Sequence, residues 1–281
     1  MSYITSIHYS ENSLTLLISM AKYTVLTFNF DGYEIMHEIP KELMRDEAEY
    51  IYVTNDHTLK SDTWTIIYED SFTGDGFDKV CQLRRNIFNY INTDIVLRID
   101  GSVILNADIT PIMDFFDRGR YDIGLLISPV RCTMVQEYAA WEYLRNLPHE
   151  QSEKVMNFML ESGYDVNNYK GLYVYNVMIQ RKNPLNIMFN ELQYDLDLLL
   201  GENGHYHRVD QTVGSYVLNM FFQDKMNVMS ISHDIMDRYP IFNIYAHNSD
   251  IKIINREPRI PAYLFNKEII PTIHVIDKSN S

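Results

Sequence analysis

Positive charge is what this sequence is shortest of: 24 Lys and Arg stand against 38 Asp and Glu, a formal net charge of -14. Affinity for nucleic acid rests on basic side chains neutralising phosphates, so no nucleic-acid partner is expected. A small phosphorylated ligand is compatible with this balance, provided a metal or a few local cations offset the repulsion. Long apolar runs are missing too. Leu14–Met20 is too short to span a bilayer and has no basic flank, so it reads as an opening strand, in a soluble cytoplasmic protein without signal peptide or transmembrane segment. Cysteine is scarce. Cys81 and Cys132 lie far apart in apolar contexts and read as reduced, packed thiols. The phosphate-binding GxxxxGK loop, a GxGxxG after the first strand, the GxSxG elbow and HExxH are all absent, which removes P-loop, Rossmann dehydrogenase, α/β-hydrolase and zincin chemistry.

What is present alternates between strand and helix. Residues 23–30 (YTVLTFNF), 50–54 (YIYVT) and 64–68 are β-prone runs that end at Asp31-Gly32, Asn55-Asp56 and Glu69-Asp70. Apolar strands that each stop at an acid or amide are the pattern of parallel strands delivering polar groups to one sheet edge. Residues 78–90 place Val80, Leu83, Ile87 and Tyr90 on one helical face, with Arg84 and Arg85 beside it. The central stretch is NTDIVLRIDGSVIL, residues 92–105, a strand buried on both faces that stops at Asp100-Gly101-Ser102 and resumes as Val103-Ile104-Leu105. Beyond it come helices over 108–116, 135–147, 148–160, 184–200 and 209–222, and strands over 121–128 and 172–179. Strand-like pieces (NVMSI, IFNIY, IKII) and a Pro-spaced tail follow. The order predicts an α/β fold, a mixed but mostly parallel sheet flanked by helices, in one domain.

Three constellations carry chemistry. An acid at the carboxyl end of a buried strand needs a ligand or partner, and Asp100, with Ser102 or a water, is apt for a hard divalent cation; an Asp-Gly pair there is also an ordinary turn. Gly32 lets backbone approach a ligand on which Tyr33 could stack, or simply makes a turn. Asp210 opens the helix DQTVGSYVL as an N-cap or as a general base. Arg84, Arg85, Arg98 and Arg131 are suited to bidentate phosphate contact or to surface ion pairs. Glu137 and Glu142 follow Arg131 on a helix. His205, His207, His233 and His247 show no zinc-site spacing, and His233 or His247 could complete a metal site from late in the chain.

In order, FNFDGYE (28–34), RIDGSVIL (98–105), DIGLLISPVRCTMVQEYAAWE (122–142) and DQTVGSYVL (210–218) resemble a plant and microbial family of glycosyltransferases long grouped as a domain of unknown function. The resemblance covers residues 23–225 and implies a GT-A-like fold, with a nucleotide-sugar half at 23–130, an acceptor half at 131–250 and a tail at 251–281. It implies metal-assisted, inverting transfer from a UDP-sugar to a glycan or glycoprotein hydroxyl. Gly32, Tyr33, Asp56, Arg84, Arg85, Asp100 and Gly101 would bind the nucleotide sugar, and Arg131 and Glu137 the acceptor. Asp210 would be the base, and Asp100, Ser102 and His247 would hold Mn²⁺ or Mg²⁺. The chain departs from the family at Asp31, where the turn has Gly, and at Ser102, where a DxD motif would have its second acid. Ser102 favours the alternative of a non-catalytic carbohydrate- or protein-binding module on a degenerate transferase fold. A fainter similarity to chlorovirus xylosyltransferases of capsid glycans implies UDP-xylose, a fucose-bearing acceptor and, for a viral protein, the host cytoplasm.

Overall fold

Burial on both faces organises the chain from its first strand. In the computed structural model, which describes residues 21–128, 133–145, 149–167, 172–200, 210–231 and 242–244, β1 (Tyr23–Asn29) and β4 (Ile95–Ile99) are buried at every position. They pair in parallel at the centre of a seven-stranded sheet. β2 (Ala48–Thr54) and β3 (Thr65–Tyr68) extend it on the far side of β1, and β7 (Tyr173–Arg181), β6 (Ile123–Ile127) and β8 (Val228–Ile231) on the far side of β4, giving the order β3-β2-β1-β4-β7-β6-β8.

Among these strands β7 runs antiparallel to its neighbours β4 and β6. The fold is therefore the mixed, mostly parallel, helix-flanked sheet that the sequence implies. The direction of β7 is a feature its apolar pattern does not carry. The stretch after Asp100 does not rejoin this sheet: β5 (Val103–Leu105) pairs antiparallel with β9 (Phe242–Ile244) in a separate ribbon.

Helices cover both faces. α1 (Gly76–Asn86) starts at Asp75, whose carboxylate accepts from the Phe77 and Asp78 amides in a capping box with Asp78, an arrangement worth about 1 kcal/mol. Its Leu83 packs with Leu26, Phe28, Ile87 and Val96 on one face of β1 and β4. α2 (Thr110–Arg118) brings Met113 and Phe116 to the other face, against Leu97 and Ile99. A further core joins α3 (Met134–Arg145), α4 (His149–Glu161), α5 (Pro184–Leu200) and α6 (Asp210–Val217) to β6 and β7. The sequence reads 209–222 as one helix. The structure divides it into α6 and a wider π turn over Leu218–Phe222. The expected strands at 14–20 and in IKII, Pro148, Cys132 and the tail fall outside the described residues.

α6 docks on β7 through small residues. The Ser215 hydroxyl accepts from the Tyr173 amide at 3.0 Å, and a Cβ on Gly214 would lie 2.5 Å from Tyr175 Cζ. Gly→Ala inside a helix ordinarily stabilises by about 1 kcal/mol. Here the aromatic ring blocks the added methyl, so Gly214→Ala should instead destabilise by about 1–3 kcal/mol, read from urea unfolding. A gain in stability would mean that α6 does not sit this tightly on β7.

Candidate active site at the β1–β4 switch point

The chain goes from β1 to β2 and β3 on one side and returns to β4 on the other, so the strand order reverses between β1 and β4. In open α/β sheets the crevice beyond the carboxyl ends at such a reversal is where ligands bind. Two loops meet there. The Asn29 side chain closes the first by donating to Glu34 O (2.6 Å) and accepting from the Glu34 amide (2.9 Å). Inside it Asp31 and Gly32 have φ of 58° and 67°, and the Tyr33 amide donates to Phe30 O. The second loop is Asp100-Gly101-Ser102. A Cβ on Gly101 would stand 2.8 Å from Phe28 O, so the two loops touch through a residue that has no side chain.

Asp31, which stands where the resembled turn has Gly, has a structural account. Its carboxylate accepts from Asn55 (2.8 Å) and Lys79 (2.6 Å), tying the turn to the end of β2 and to α1. The Lys79 bond holds its pKa below the usual carboxylate range. Tyr33 is exposed at the tip. Asp56, expected to line the nucleotide site, is committed locally: it accepts from the Thr58 hydroxyl and amide at 2.6 and 2.8 Å, and these bonds lower its pKa.

Arg84 is the centre of the site. It lies on the buried face of α1 and is 9% exposed. Its Nη1 donates to Asp210 Oδ2 at 2.5 Å, and its Nη2 reaches Asp100 Oδ1 at 3.5 Å. Burial opposes its charge, but Asp210 and Asp100 outweigh that and hold the pKa above its ordinary value. Arg85 is not part of this group. It is exposed, with its guanidinium 4.9 Å from the centre of the Tyr194 ring on α5. Under Arg84 lies Arg98 of β4, 2% exposed and bonded to Tyr175 O; burial, then Arg84, pulls its pKa down to about 10. Burial raises the pKa of Asp100, and the two guanidiniums oppose that rise.

Two polar residues here were not singled out in the sequence. Asn176 faces Asp100 across β4–β7, accepting the Asp100 amide at 2.9 Å on its backbone oxygen. The β6–β7 register slips, so that Leu125 pairs with Met178 but Leu126 with Val174, which leaves residues 175–177 without counterparts on β6. Bulges of this kind re-aim side chains beside active sites. The Asn176 Oδ1 is buried and has no partner within the protein. Its signal was an amide inside the apolar run LYVYNVMI. The other is Asp197 on α5, buried, with an unpartnered Oδ1. Burial raises its pKa well above the carboxylate range, Asp210 adds to the rise, and Arg84 opposes it.

Of the remaining expected residues, Ser102 is buried in the turn (6% exposed) and Glu137 is 1% exposed on α3, a depth at odds with direct recognition of a glycan from solvent. Glu142 pairs with His149 at 2.6 Å. Arg131, His205, His207, His233 and His247 lie outside the described residues. Asp210 caps locally as well, since its Oδ1 accepts from the Gln211 amide at 2.8 Å. Both of its oxygens are therefore engaged.

Among the described residues no three His, Cys, Asp or Glu side chains are grouped to hold a metal by themselves. Mg²⁺ and similar hard cations need less when a substrate phosphate is present: one or two carboxylates, the phosphates and water. Two carboxylates already gathered around one positive charge fit that chemistry.

The sequence matches no protein-family model and none of the curated proteins. Among solved structures, the chain is similar to apo mouse xyloside xylosyltransferase 1, with 12% identity, a TM-score of 0.45, and 78% of this chain and 91% of that one covered. At this identity and score the function has to be read from the site itself. Of the described residues none forms a helix long and apolar enough to cross a membrane.

The buried acid gives a pH test. A carboxyl whose folded pKa exceeds its unfolded one adds stability in full below the unfolded value, and that contribution fades as pH rises through the folded value. Asp197 therefore costs stability progressively from about pH 4 upward. Asp197→Asn, which imitates the protonated acid, should flatten the fall in urea midpoint between acid and neutral pH. An unchanged or steeper fall would show that Asp197 is ionised in the folded protein.

Proposed function

We propose that the protein is a glycosyltransferase that moves a sugar from a UDP-sugar to a hydroxyl of a glycan acceptor. The observation that carries this reading is the seat of Arg84, a buried guanidinium at the switch-point crevice with two carboxylates on it and its Nε without a partner. A planar fork of that kind suits the diphosphate of a nucleotide sugar. Gly32 and Tyr33 supply a turn with open space for the nucleoside at the end of β1. Asn176 Oδ1, buried and unpartnered, adds a further acceptor beside Asp100.

Asp100 would hold the divalent metal, whose contribution is Lewis-acid compensation of the charge on the leaving diphosphate. The protein's own part is electrostatic and positional. Arg84 turns from carboxylate to phosphate, Arg98 keeps the floor of the crevice positive, and the Asn29–Glu34 clasp fixes the loop that covers the donor. Base work by Asp210, and with it an inverting course, requires Arg84 to leave first, because the unliganded geometry gives Asp210 no free oxygen. UDP-xylose as donor is the finer form of the proposal.

The test is UDP release from a panel of UDP-sugars, UDP-xylose included. Asp100→Asn should reduce release by about 10²–10³-fold at a temperature where the variant is still fully folded. UDP binding without release from any donor would identify a non-catalytic binding module, the reading Ser102 favours. Neither release nor a UDP-induced rise in Tm would end the transferase proposal.

A further inference from the structure

The site places its second carboxylate in an unexpected position. A DxD-type turn would offer both acids from one loop, but position 102 is a buried serine. The other acid that shares a cation with Asp100 is Asp210, which comes from the start of α6 on a separate element. From Asp100 and Asp210 we infer that the divalent metal is held between these two carboxylates, in the seat that Arg84 fills in the unliganded protein. This deepens the transferase reading and rests on it for the identity of the nucleotide, though not for the metal.

Three observations carry the inference. The seat already selects a cation, since carboxylates from two elements converge on one guanidinium. The fit of that guanidinium is uneven, 2.5 Å to Asp210 but 3.5 Å to Asp100, with the buried Nε unpartnered. A buried N–H without an acceptor is a group that a phosphate oxygen would satisfy. Beside Asp100, Asn176 Oδ1 is a buried carbonyl oxygen without a donor, and amide oxygens are ordinary ligands of hard cations.

Charge closes the argument. Arg84 and Arg98 balance Asp100 and Asp210 in the unliganded protein. A diphosphate brings negative charge that the guanidiniums cannot offset while they also serve the carboxylates. If a divalent cation takes the carboxylates, Arg84 is released to the diphosphate and every charge has a partner. Asp210 is then assigned to the cation rather than to the acceptor's proton, and the Ser102 hydroxyl is not a ligand.

The experiment is Mn²⁺ titration of the purified full chain, followed by the EPR signal of free Mn²⁺, first without nucleotide and then with UDP. Asp210→Asn should weaken Mn²⁺ binding by about 10- to 100-fold, whereas Ser102→Ala should change it by less than about twofold. Arg84→Gln, which empties the seat, should tighten Mn²⁺ binding to the protein alone and weaken UDP binding. That opposite pair of effects is one a merely misfolded variant would not give. Equal losses in Ser102→Ala and Asp210→Asn, or no tightening in Arg84→Gln, would overturn the inference. Mn²⁺ results as expected without any UDP binding would leave the metal seat standing and remove the UDP-transferase reading instead.

Discussion

Two guanidiniums buried between a sheet and its helices are the constraint on which the rest of this site depends. A buried cation left unpaired is destabilising by several kcal/mol. Arg84 and Arg98 therefore require the carboxylates that answer them, and those carboxylates come from distant parts of the chain. Arg84 on α1 reaches Asp100 at the end of β4 and Asp210 at the start of α6. Arg98 is fixed to the backbone of β7. Neutralising the cations and assembling the site are thus the same event, and burial pushes the pKa of Asp197, a third acid close by on α5, well above the carboxylate range.

The crevice above depends on backbone contact as much as on charge. β1 and β4 are adjacent because their apolar residues are buried on both faces, and their loops can then meet only where a side chain is missing. Gly101 is that point. Asn29 belongs to the same design: a buried amide that spends both of its polar ends on Glu34 closes the loop that meets Gly101.

Much of this was legible from the chain. Buried parallel strands announce themselves as apolar runs that stop at acids, and β1, β2 and β4 were found that way together with Asp100. The choice between Arg84 and Arg85 was also within reach: position 84 continues the helical face of Val80, Leu83 and Ile87, whereas position 85 leaves it. The direction of β7 was not legible, because a buried strand reads the same both ways. Nor was the unpaired position of Asn176, since it comes from a register slip, which depends on the partner strand rather than on LYVYNVMI itself. Asp197 was not legible either, because nothing in the pattern of α5 marks which of its polar residues lies against Cys81 and Arg84 of α1.

The surface and the site then differ in charge balance for a reason. A chain of net charge -14 repels a nucleoside diphosphate at long range. Screening at physiological ionic strength confines that repulsion to about 8 Å, so affinity is decided by the charges the ligand meets inside the crevice. There the cations are buried, where water weakens them least, while most of the surplus acids remain at the surface, where salt weakens them most. On the proposed reading, an acidic protein holds an anionic donor in this way without a basic surface. On the same reading a metal between Asp100 and Asp210 would free Arg84 for the donor without leaving a buried carboxylate uncompensated.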